Sequence, residues 1–223
     1  MSAISATLAL RQRIGDNTLG RMLGALPFMS EDESRRSSLA PAEKAALERL
    51  LEAARSGDGK AQEALYAMYK SRVFGLAFRH TGDPVAAEDL LQDVFVKIFT
   101  HLGDVRDVET MSAWIYRIAL NTCFSYLRGR RLRSRTMVPL SAIEGGPDEA
   151  ARDVRAEGLG RPIEESLREL PERLRSVFVL HDIEGFKHEE IGRILGCTVG
   201  TSKSQLFKAR IRIREKLRKK GIL

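Results

Sequence analysis

The residues with the most chemical promise lie toward the carboxy-terminal end. Residues 187–210 (KHEEIGRILGCTVGTSKSQLFKAR) have the spacing of a helix–turn–helix. Ile191, Ile194 and Leu195 turn inward on a short helix, Gly192 is small where the second helix crosses closely, Gly196 marks the turn, and Gly200–Thr201 opens the second helix. That helix first presents Thr201, Lys203, Ser204, Gln205 and Lys208, all able to reach phosphates or base edges. The last 21 residues carry nine basic side chains and one acid. A helix dipole recruits cations only to its last turn, so it does not account for charge this extensive. The pattern predicts DNA binding.

A second stripe, Arg117, Asn121, Phe124 and Arg128, recurs at helical spacing and runs into the basic segment Arg128–Arg135 (RGRRLRSR), five basic residues with no acid. Asn reads a base edge, an aromatic ring stacks on a base, and Arg holds phosphates, a mixture that suits single-stranded as well as duplex nucleic acid. On residue type alone, Phe124 is equally a core side chain and Arg117 equally a surface cation. A third stripe, Asp89, Gln92, Asp93 and Val96, has the opposite sign. Carboxylates repel DNA, so this face is either plainly solvated or turned toward a basic protein.

Catalytic patterns are missing. His80, His101, His181 and His188 have no ligand spacing, and no HExxH, GxSxG or Walker-type loop occurs. His181–Asp182 is a weak pair, and His188 with Glu189 and Glu190 reads as the start of a helix. Cys123 and Cys197 stand far apart without a CxxC partner, so no zinc site or disulfide frame is expected, and no cofactor.

The elements that must position these stripes are helical. No segment alternates with a period of two, and aromatics make up only 6% of a chain that is 43% hydrophobic. This fits packed α-helical cores rather than a β sandwich. Residues 86–102 (AAEDLLQDVFVKIFTHL) are the clearest helix, with Leu90, Leu91, Val94, Phe95, Ile98, Phe99 and Leu102 on one apolar face. Helices are also expected over 41–57, 60–80 and 111–131, the last turning Trp114, Ile115, Ile118 and Thr122 inward, with a polar loop at 103–110. Residues 136–160 break every period and are acidic, a flexible linker reaching about 80 Å when fully drawn out. A second helical domain begins near Arg161. The 223 residues carry a net charge of +7, and because the two basic patches supply +13, everything else sums to −6. No apolar run is long enough to span a bilayer and no secretory signal opens the chain, so a soluble protein of a reducing, cytoplasmic compartment is expected.

Four runs in order, AAEDLLQDVF (86–95), AWIYRIALNTCFSYLRGRR (113–131), LRELPERLRSVFVLHDIEGF (167–186) and HEEIGRILGCTVGTSKSQLFKAR (188–210), carry a resemblance. From about Leu47 to Leu217 the chain resembles the bacterial extracytoplasmic-function (ECF) sigma factors, alternative specificity subunits of RNA polymerase. The resemblance implies an all-α protein of two small domains: region 2 over 46–135 and a region 4 helix–turn–helix over 161–223, joined by the linker at 136–160. Residues 1–45 have no counterpart. It implies core RNA polymerase as partner through its clamp helices and flap, together with promoter DNA and an anti-sigma factor. Asp89, Gln92, Asp93 and Val96 fall where the family docks on the clamp helices. Trp114, Arg117, Asn121, Phe124, Arg128, Arg130 and Arg131 fall on the −10 side, where Asn121 and the loop Gly103–Thr110 would capture an unstacked non-template base. Thr201, Lys203, Ser204, Gln205, Phe207, Lys208 and Arg210 fall on the helix that reads the −35 duplex.

The chain departs from the family pattern at Phe99 (often Trp), Leu120 (often Arg), Ser125 (often Asp), Ser202 (usually Val) and Gln205 (usually Arg), which bears on promoter preference. The runner-up reading is a helix–turn–helix regulator that binds duplex DNA without polymerase, and a structural adaptor is a third. A simple regulator needs neither the acidic stripe nor the Asn121 stripe.

Overall fold

Side-chain caps set where several helices begin. Asp58 accepts a hydrogen bond from the Lys60 N–H, and Asp83 accepts from Val85 and Ala86 while Pro84 supplies a preset first turn. The Asp107 carboxylate accepts from Glu109, and the Thr198 hydroxyl from Thr201. The computed structural model describes residues 41–136 and 161–220. The extension up to residue 40 and nearly all of the acidic linker expected from the sequence lie outside the described residues.

The amino-terminal helices are α1 (Pro41–Arg55), α2 (Gly59–Thr81), α3 (Pro84–Thr100) and α4 (Val108–Thr136), with a short 3-10 turn at Leu102–Asp104 between the last two. The carboxy-terminal helices are α5 (Arg161–Arg168), α6 (Glu172–Phe178), α7 (His188–Leu195) and α8 (Val199–Lys219), with one π turn over Val179–Ile183 continuing α6. The protein is all-α. Among the described residues, no helix is long and apolar enough to cross a membrane, and no group of three or more His, Cys, Asp or Glu could hold a metal ion.

The apolar face expected over 86–102 is the center of the first group. Leu90, Leu91, Val94, Phe95 and Ile98 are buried against α2 and α4. Each such side chain contributes about 1.5–3 kcal/mol by leaving water. Helix α4 is longer than the sequence suggested at both ends. It begins at Val108, where Val105 and Val108 are buried and pin the connection to the core. It also runs on through the basic segment, because arginine and leucine are good helix formers and only Gly129 interrupts them. In the second group α8 buries Ser202, Leu206, Ala209, Ile213 and Leu217, a single stripe at spacings of three and four.

The two groups share one continuous core rather than standing apart. Tyr116 of α4 is fully buried, its ring edge-on to Phe186 at 4.9 Å and its hydroxyl donating to Glu184. Arg79 of α2 donates to Glu164 of α5 at 3.0 and 3.1 Å. Arg175 of α6 donates Nη1 to the carbonyls of Arg79 and His80 at 2.9 and 3.1 Å, which satisfies the carbonyl end of α2. Arg168 lies over the Phe78 ring at 5.0 Å.

Candidate nucleic-acid and protein interfaces

Helix α3 buries one face and leaves the opposite one bare. Asp89, Gln92, Asp93 and Val96 are all exposed, and Val96 retains 66% of its surface although it is apolar. Val85, 70% exposed, stands at the start of the same helix. The result is a strip of acids and amides edged by valine, with the character of a protein-binding rim.

Helix α4 sorts its candidates. Arg117, Asn121, Arg128 and Arg130 are exposed. Trp114 is half-buried and packs on the core. Phe124 is also half-buried, edge-on to the His80 ring at 5.7 Å, so it stands partly in the core as its type allowed. Arg128 donates to Ser125 at 3.1 Å, and Arg131 reaches Glu172 of α6 at 3.4 Å. Beside Asn121, the Lys97 ammonium of α3 donates to Thr122 at 3.0 Å and braces the two helices. Residues 103–110, expected as a loop, instead span the end of the 3-10 turn, a short link and the first residues of α4; Gly103, Asp104, Arg106, Glu109 and Thr110 are exposed.

The helix–turn–helix is formed by α7 and α8. Gly196 has φ +65, the left-handed turn conformation that glycine adopts without cost. Gly192 is required for a different reason from the one its spacing suggested. A Cβ there would meet the Cys197 carbonyl oxygen at 2.7 Å, so the glycine makes room for the turn's own backbone rather than for the crossing helix. Helix α8 starts one residue earlier than expected, at Val199 on the Thr198 cap, and Thr201 is half-buried with its hydroxyl 2.9 Å from that of Thr198. Lys203, Ser204, Phe207 and Lys208 are exposed, Phe207 at 61%. Gln205 is half-buried. Arg210 is exposed but not free, since its guanidinium donates twice to Asp182, at 2.9 and 2.6 Å.

The basic end of α8 is likewise divided. Lys216 pairs with Glu169, just past the end of α5, and Lys220 with Glu165 of α5. Lys208, Arg212, Arg218 and Lys219 are exposed toward solvent.

The structural partners of several residues were not legible in the sequence. Asp182, Glu184 and Arg175 find partners 28, 68 and about 95 residues away in the chain, a separation that no local pattern encodes. His80 is buried between α2 and α6, and burial first, then the Arg175 and Arg79 charges, push its pKa down to about 3. Burial likewise pushes the Cys123 thiol up to about 12, so it stays a neutral core side chain.

Comparison with known proteins covers both groups of helices. The family description Sigma-70 region 2 matches residues 65–133, and Sigma-70, region 4 matches residues 160–213. The RNA polymerase sigma-H factor of Pseudomonas aeruginosa is 31% identical over 172 residues, covering 73% of this chain and 89% of that one. The ECF RNA polymerase sigma-E factor of Escherichia coli is 32% identical over 179 residues, covering 75% and 92%. Among solved structures, CnrH in complex with the cytosolic domain of CnrY aligns with a TM-score of 0.54 at 26% identity, over 77% of this chain and 97% of that one. The sigma factor RpoE bound to the anti-sigma factor NepR from Bartonella quintana aligns with a TM-score of 0.57 at 24% identity, over 70% and 96%, a likeness of fold.

Proposed function

The chain belongs to the ECF group of the sigma-70 family of RNA polymerase sigma factors, and from that premise we propose how its surfaces divide the work of transcription initiation. It binds core RNA polymerase and directs it to promoters as an alternative sigma factor; it acts through binding and not as an enzyme. Residues 46–135 serve as region 2, 136–160 as the connecting linker and 161–223 as region 4. Asp89, Gln92, Asp93 and Val96 dock on the basic clamp helices of the polymerase. Asn121 and the 103–110 connection take an unstacked non-template base, while Arg117, Arg128 and Arg130 hold the strand. Flipping a base costs a few kcal/mol, which binding energy from such a pocket supplies. Lys203, Ser204, Phe207 and Lys208 face the −35 duplex, with Thr201 and Gln205 at the margin. The partners include promoter DNA, the polymerase flap and an anti-sigma factor, and the working compartment is the bacterial cytoplasm.

The observation that supports this reading most strongly is a pair of exposed surfaces of opposite sign on one chain, the acidic strip of α3 and the basic face of α8. A regulator that bound only duplex DNA would have no use for the first. The test is a titration of fluorescently labelled protein against core polymerase. Reversing Asp89 and Asp93 to Lys is expected to weaken binding at least tenfold. Helical content should stay unchanged, because both side chains point away from the core. Undiminished affinity in the double variant removes the assignment of this face.

A further inference from the structure

Arg210 sits on the recognition helix, yet two of its five N–H groups are already spent. Its Nε and Nη2 donate to the two carboxylate oxygens of Asp182 at 2.9 and 2.6 Å. Asp182 belongs to the π turn behind α8. Its side chain is only 10% exposed, against 46% for Arg210, so the carboxylate is the fixed partner and the guanidinium the outward one. Asp182 also accepts from Nδ1 of His181 at 2.8 Å. The His181 ring stacks on His188 at 4.6 Å, and Nδ1 of His188 lies 2.8 Å from the Ser202 hydroxyl. Ser202 is fully buried in the first turns of α8. The recognition helix is therefore tied at two points, Ser202 and Arg210, to one cluster behind it. Eight residues separate the ties, about 12 Å along the helix. Two ties at that separation fix both the rotation and the slide of the helix.

The geometry points to Asp182 as a positioning residue for DNA binding, one that aims Arg210 at a backbone phosphate and holds the recognition helix in register. This inference rests on the proposed function, in which α8 meets the −35 duplex. The orientation follows from what remains: with Nε and one Nη2 hydrogen committed inward, the other three N–H groups of Arg210 fan outward on the flank of α8 that also carries Lys203 and Arg214. A planar fork held in this way is suited to phosphate oxygens. Base edges are the business of the residues nearer the helix start. Burial tends to raise the Asp182 pKa, but the hydrogen bonds and charges of His181 and Arg210 more than offset it and hold the carboxyl below the usual range, so the tie is ionised at neutral pH.

The sign of one mutation separates positioning from plain electrostatics. Asp182→Asn removes a negative charge near DNA, and simple Coulomb attraction would then tighten binding on every sequence. Loss of aim does the opposite. The experiment measures affinity of the full chain, with core polymerase, for a −35-containing duplex over a salt series. Arg210→Ala should lower the salt slope by about one and leave the selected sequence unchanged. Asp182→Asn should weaken binding three- to tenfold, Asp182→Glu should recover part of it, and Asp182→Asn combined with Arg210→Ala should be no weaker than Arg210→Ala alone. Thermal unfolding of each variant shows whether a loss is merely misfolding. In that case the Arg210→Ala slope decides, since a purely structural arginine leaves it unaltered and that overturns the proposal. Binding that Asp182→Asn leaves equal or tighter overturns it too. A wild-type protein without salt-dependent promoter binding would instead remove the reading of α8 on which the inference stands.

Discussion

His80 shows what a single side chain contributes at the join between the two groups of helices. Its ring lies between Phe124 and Ser176, beside Arg79 and Arg175, and it is held neutral with a pKa near 3. The unfolded chain takes up the proton near pH 6.5, whereas the folded one refuses it until far lower. The stabilising difference is thus complete above pH 6.5 and is lost as the pH falls toward 3. Between pH 7 and pH 5 it amounts to about 2 kcal/mol for this one group. Thermal unfolding followed across that range should show a falling midpoint in the wild type and a flatter profile in His80→Gln. Parallel profiles would mean that His80 is hydrated after all. No local pattern signals this, because His80 stands between Arg79 and Thr81 in the chain and its partner Ser176 comes from a helix some 95 residues on. The outward placement of Asn121 and Lys203 was legible for the converse reason, since the helical period alone decides which side chains face out.

Helices were the most readable level. The period of α3 placed Leu90, Leu91, Val94, Phe95 and Ile98 inside and Asp89, Gln92, Asp93 and Val96 outside, as observed. Helix ends were less so, since Thr198 and Asp107 cap by side-chain bonds that composition does not single out. On α8 the count of cations overstated the charge left outside ion pairs within the protein. Lys216 and Lys220 are paired with Glu169 and Glu165 across the α5–α8 contact, whereas Lys208 is exposed and directed away from the core. Lys208→Ala should therefore lower the salt slope of promoter binding by about one, and Lys216→Ala should leave it nearly unchanged. Equal slopes for the two variants would show that these acids release their lysines on DNA.

At the scale of the whole molecule, the shared core sets a condition on function. The −35 and −10 elements, by the positions that name them, lie about 25 base pairs apart, roughly 85 Å of duplex at about 3.4 Å per base pair. A packed chain of this size has a radius of gyration of only about 15–17 Å. On the proposed assignment of one element to each group, the two groups of helices would have to part for both elements to be held at once, and the 136–160 segment is long enough in sequence to allow it. Beside its apolar contacts the interface holds polar groups whose burial such parting would relieve. It buries Arg79 and His80 and partly buries Glu164 and Arg175, and among the described residues His80 Nδ1 and one Glu164 oxygen are buried without a partner. Each such atom costs about 1–3 kcal/mol, which separation returns to water. Packing of this kind was not foreseeable from the linker's composition, which speaks only to its own stiffness. The measurement that bears most directly on the account is transcription in vitro, with core polymerase, this protein and a randomised promoter library. The expected transcripts depend on the added protein and start downstream of two motifs held at a fixed spacing. Transcripts indifferent to the protein, or dependent on a single motif with no spacing constraint, would contradict it.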